Sequence, residues 1–119
     1  MSIMEEIAFG MIASRIAQHV RAQGVTEATL RVAIAEGRPL MVEAVRSMLG
    51  PKEWAGVGAA DRARILTEDP EAQRRQAERI LDALAMQPGM RPVAVALHGA
   101  PAYTLREMEA VRAYLRSLG

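Results

Sequence analysis

This chain contains no cysteine. Disulfides, thiolate-bound metals and thiol redox or nucleophilic chemistry are therefore excluded. Aromatic residues are scarce: Phe9, Trp54, Tyr103 and Tyr114 are the whole set. The core must then be built from Ile, Leu, Val, Met and Ala, a composition that suits closely packed helices. Histidine occurs only at His19 and His98, and neither has a second ligand at helical spacing. There is no Glu-x-x-His of a di-iron helix pair and no His-Glu-x-x-His of a zinc protease. Gly-x-Ser-x-Gly and Walker-type phosphate loops are absent too. No catalytic residue, metal or cofactor is expected from these patterns.

Lysine is reduced to Lys52; the other fourteen basic residues are arginine. That skew reads as a coding bias rather than a selected basic surface. With a net charge of +1 and a pI near 8.3, the chain has no strong electrostatic pull toward nucleic acid or an anionic membrane. Long apolar runs are missing. The longest near the start, "IAFGMIA" (7–13), is far short of the roughly 20 residues that span a bilayer. "MSIMEE" is acidic where a secretory leader is basic. The expectation is a soluble, cytoplasmic protein with no membrane partner.

What is present is alanine, leucine and regular punctuation. Half of the 119 residues are hydrophobic, enough for one domain spanning 1–119. Ser2 with Glu5 forms a capping box that opens a helix running to about Ala22, before Gly24. Thr26 caps a second helix ending near Gly37. Pro39 fits the first turn of a third, closed by Gly50. "PKEWAGVG" (51–58) reads as a loop, and a short helix follows over about 59–67. Asp69-Pro70 is a strong helix start. "MQPGMRP" (86–92) is a break. Thr104 with Glu107 forms another capping box, with Tyr103 and Met108 as a hydrophobic staple, and a final helix runs to the end. The fold class is thus all-α, a compact domain of about six helices.

One segment resists this reading. In "PVAVALHG" (92–99), Val93, Val95 and Leu97 alternate with alanines, which is strand periodicity. Its partner would be 30–35, "LRVAIA", which alternates likewise, or its own copy across a two-fold axis. The alternative is a short buried helix framed by Pro92 and Gly99.

The first helix carries two apolar stripes at helical spacing. Phe9, Ile12, Ile16 and Val20 lie on one side; Ile3, Met4, Ile7 and Met11 lie nearly opposite. Such a helix is either central or shared between its own core and another surface. The last helix has one stripe, Leu105, Met108, Val111, Leu115 and Leu118, with Arg112 and Arg116 outside it. Residues 61–82 hold five arginines, including Arg74, Arg75 and Arg79, against six acids. Glu71–Arg75, Arg75–Glu78 and Arg79–Asp82 stand at ion-pair spacing, so this reads as a solvated, salt-bridged face.

These observations favour a small, non-catalytic interaction, adaptor or regulatory protein acting as a homodimer or with another protein partner. Its candidate interface is Ile3, Met4, Ile7, Met11, Trp54, Val93 and Val95. A first alternative is a DNA-binding regulator using helices 26–36 and 39–49, with Arg38 and Arg46 as contacts. The second helix of that pair offers a poor reading head, one arginine beside Glu43. A second alternative is a small enzyme or ligand-binding domain with a pocket near His98 and Tyr103.

Overall fold

The computed structural model describes the backbone from Ile3 to Gly119 and the side chains from Glu6 onward. Among the described residues there are eight helices and no strand: α1 (Ile3–Ala22), α2 (Glu27–Glu36), α3 (Met41–Met48), α4 (Pro51–Ala55), α5 (Ala59–Ile65), α6 (Pro70–Ala85), α7 (Arg91–His98) and α8 (Pro101–Ser117). The capping box at Ser2 and Glu5 lies outside the described residues.

Local chemistry sets several ends where the sequence places them. Thr26 Oγ1 accepts from the Thr29 amide at 3.2 Å, and Thr29 Oγ1 accepts from the Thr26 amide at 2.8 Å, a reciprocal cap on α2. Gly37 closes α2 at φ 67°, a left-handed conformation that favours glycine. Asp69 Oδ2 accepts from the Ala72 amide at 3.2 Å, and Pro70 fills the first position of α6.

The strand option for 92–99 fails and the helical one holds: the segment is α7, and 30–35 lies within α2, the second helix expected after Thr26. The alternation in 92–99 is accidental. Val93, Ala94, Ala96 and Leu97 are buried together at helical spacing, whereas Val95 points outward with 59% of its surface exposed. Val93, Leu97 and the buried alanines keep the helical period, and Val95 does not. Residues 51–55 are the short helix α4 rather than loop. Pro51 occupies its first position, and the Gly50 amide donates to Glu53 Oε2 at 2.9 Å. The last helix starts three residues before Thr104, at Pro101, so Thr104 and Glu107 are not its capping box. The Thr104 hydroxyl donates instead to the Leu97 carbonyl at 2.7 Å, near the end of α7. Pro39 likewise lies just outside α3, which begins at Met41.

The long α1 packs on α6, α3 and α5; α6 packs on α7 and α8, and α8 on α3 and α7. One continuous hydrophobic cluster runs through these contacts, from Ala8 and Phe9 to Leu115. The radius of gyration is 13.3 Å. A compact body of this length has about 13.5 Å, so the helices form one globule. The α2 helix is lightly anchored, with Leu30 its only fully buried residue, and it leans on α7. No helix among the described residues is long and apolar enough to cross a membrane.

Candidate functional site

The inner stripe of α1 is core: Phe9, Ile12, Ile16 and Val20 are buried, joined by Ala8, Ala13 and Ala17. The opposite side is not surrounded. Ile7 is 58% exposed. Met11 is partly buried against the edge of the core. Gly10 and Ser14 share that side by helical spacing, and a Cβ built on Gly10 would meet nothing within 4 Å. Ile7, Gly10, Met11 and Ser14 thus make a neutral, low-relief strip along one helix. Ile3 and Met4 lie within α1, but their side chains are outside those described.

Beside this strip, two adjoining hollows run between α1 and α6. One, of about 570 Å³, is lined by Glu6, Phe9, Arg75, Glu78, Arg79, Asp82 and Ala83. The other, of about 410 Å³, is lined by Phe9, Arg64, Thr67, Ala72, Arg75, Gln76 and Arg79. Arg75 and Arg79, one turn apart on α6, border both. The ion pairs expected along α6 do not form. Arg79 Nη1 reaches Glu6 Oε1 at 3.3 Å instead, and Asp82 lies 4.0 Å from His98 Nε2. Arg64 is held by Asp61 at 2.9 Å. Arg75 makes no hydrogen bond or ion pair with the described residues. For Arg79 and Asp82, α1 and α7 present competing partners across the packed interfaces.

The other expected site residues scatter. Trp54 and Val93 are buried in the core at 3% and 4% exposure, so neither is available to a partner. Val95 is exposed but stands on α7, away from the α1 strip. His98 and Tyr103 do not share a pocket. His98 borders a hollow of about 210 Å³ with Leu81, Leu97, Pro101 and Leu105. Tyr103 is buried, and its hydroxyl stands 2.7 Å from the Arg38 carbonyl oxygen. Arg38 pairs with Glu36 at 2.7 Å, and the Arg46 guanidinium lies 6.0 Å from the centroid of the Tyr114 ring. Both keep a local partner, and Glu43 remains exposed on α3 beside Arg46. Among the described residues no three of His, Asp and Glu gather closely enough to hold a metal ion.

Two buried polar groups escaped the sequence reading. Glu107 Oε1 accepts from the Met41 amide at 3.1 Å and also from the Leu40 amide. It caps α3 from another helix. Burial, and then the Glu107 carboxylate at 3.1 Å, push the Tyr103 phenol well above its ordinary value. Arg112, placed outside the apolar stripe by its charge, is 1% exposed. Its Nη1 donates to Glu109 Oε2 at 3.1 Å and its Nη2 to Gln76 Oε1 at 3.5 Å, while Nε finds no partner. Burial pulls this guanidinium below the usual arginine value, and Glu109 pulls it back up. Gln76 in turn donates to the Arg64 carbonyl at 2.6 Å. This chain of contacts ties α8 to α6 and α5 behind the arginine-lined hollow. Spacing shows the local contacts, Arg112 with Glu109 and Glu107 with Tyr103, but not the distant ones to Gln76, Leu40 and Met41 that account for the burial.

No known protein family, no curated protein and no solved structure matches this chain.

Proposed function

We propose that this protein is a small, non-catalytic interaction module that works as a homodimer, with the outer strip of α1 as the contact. The observation that carries the reading is Gly10. It sits inside a 20-residue helix with open space at its Cβ position. A mid-helix glycine costs about 1 kcal/mol relative to alanine, and nothing in the monomer repays that cost. A second helix approaching closely at Gly10 does. Ile7 and Met11 on either side supply apolar surface for the same contact.

The partner best suited to this strip is a second copy. In a two-fold contact, residues near the axis meet their own counterparts, so a charged strip repels itself. From Ile7 to Ser14 the strip is neutral, and Glu6 and Arg15 stand on its two opposite flanks. The strip from Ile7 to Ser14 is only about 12 Å long, so the contact is small. The expected dimer is weak and reversible, with roughly 1–100 μM as the range to search.

Sedimentation equilibrium across that concentration range tests the proposal. Wild type should show a reversible dimer, Ile7→Glu should be a folded monomer, and Val95→Glu should dimerise like wild type. A wild type that stays monomeric, or an Ile7→Glu protein that dimerises equally well, defeats it.

A further inference from the structure

We propose that the hollow between α1 and α6 at its α5 end binds a small organic anion, a carboxylate or phosphate monoester, through Arg75 and Arg79. This site is separate from the dimer strip and does not depend on it. Three arginines, Arg64, Arg75 and Arg79, are among the residues that line the hollow of about 410 Å³, and none of its described lining residues is acidic. The buried Arg112 stands behind the wall, joined to Gln76 at 3.5 Å. The acids that line the adjoining space, Glu6, Glu78 and Asp82, lie toward the other end.

The arginines are not all neutralised from within. Arg64 is held by Asp61, and Arg79 gives one nitrogen to Glu6 at 3.3 Å. Arg75 has no partner among the described residues. A guanidinium presents its N–H donors as a planar fork that matches a carboxylate or phosphate. Gln76 and Thr67 also line the hollow, with the apolar Phe9 and Ala72. The volume lies in the range of small-molecule sites, about 300–1,000 Å³, and leaves room for an organic group beside the anion.

Nuclear magnetic resonance titration of the full chain tests this, following the arginine Nε–Hε signals. Phenyl phosphate and benzoate are the organic probes and inorganic phosphate the comparison. Saturable shifts at Arg75 and Arg79 are expected with at least one organic probe; a response to phenyl phosphate alone assigns a phosphate monoester, to benzoate alone a carboxylate. Arg75→Gln should weaken binding by about tenfold or more, since a charge-assisted fork is lost, while the exposed Arg91→Gln on α7 should leave it unchanged. No saturable shift up to about 10 mM overturns the proposal. So does equal binding by Arg75→Gln, or inorganic phosphate binding as tightly as both organic probes.

Discussion

Glu107 caps the helix that begins at Met41, although 66 residues separate them. Its Oε1 takes the Met41 amide at 3.1 Å and the neighbouring Leu40 amide, two donors that the first turn of α3 cannot satisfy itself. Leu40 contributes no side-chain cap of its own. The carboxylate also sits where the helix dipole favours negative charge. One side chain of α8 thus fixes where α3 starts.

Replacing Glu107 therefore costs more than an ordinary surface change. Glu107→Ala leaves both amides buried without an acceptor, and about 2–4 kcal/mol of stability should be lost. Glu107→Gln keeps one oxygen and loses the charge, for a loss of about 1–2 kcal/mol. Urea unfolding of both variants measures this. Equal stability of Glu107→Ala and wild type would rule out the cap.

The contrast with Thr26 explains which features could be read in advance. Thr26 caps its own helix from within four residues, so local spacing reveals it. Glu107 also stands three residues after a threonine, which imitates a capping box. Its carboxylate answers to a different helix, and only the packing of α8 on α3 brings them together. Arg112 was misplaced for a related reason. A charge on a helix normally faces water, and only the closeness of Gln76 and Glu109 lets this one go inside. The α7 segment reads as strand or helix alike, since alternating valines imitate a strand when the positions between them are alanines. The cleft arginines were visible as residues, but Glu6 and His98 as rivals for α6 ion pairs were not.

Tyr103 gives a pH signature. The ordinary phenol value is 10.0, and in the folded protein burial and Glu107 raise it. The folded state thus holds this proton more tightly than the unfolded one. The corresponding stability is intact below about pH 10 and is lost as the pH climbs toward the folded value. Ultraviolet titration of the native protein should show a phenol that stays protonated past pH 10, and Tyr103→Phe should abolish that late component. Ionisation of Tyr103 near 10 with the fold intact would contradict the assignment.

Arg112 should behave as a packed side chain more than as an ion pair. Its stem and guanidinium fill space between α8 and α6, and its carboxylate partner Glu109 is half exposed. Removing Arg112 therefore strands no buried charge. Arg112→Ala opens a cavity and should cost about 3 kcal/mol, whereas Arg112→Met refills most of it and should cost under about 1.5 kcal/mol. Thermal melts compare the two. A methionine variant as unstable as the alanine variant would show that the polar contacts dominate.

Gly10→Ala separates folding from association in one protein. Gly10 has none of the positive φ values found at Gly24, Gly37, Gly89 and Gly119, and its Cβ position is open. In the monomer, alanine should raise stability by about 0.5–1 kcal/mol through helix propensity alone. At a close helix crossing, the same methyl group pushes two backbones apart, a strain of about 1–3 kcal/mol or roughly five- to a hundredfold in the dimer constant. The two effects have opposite signs, so no general loss of folding imitates them. Unfolding at concentrations below dimerisation should show the gain, and sedimentation at higher concentrations should show the weakened dimer. If stability rises and association does not change, Gly10 is an ordinary surface glycine and the dimer contact lies elsewhere.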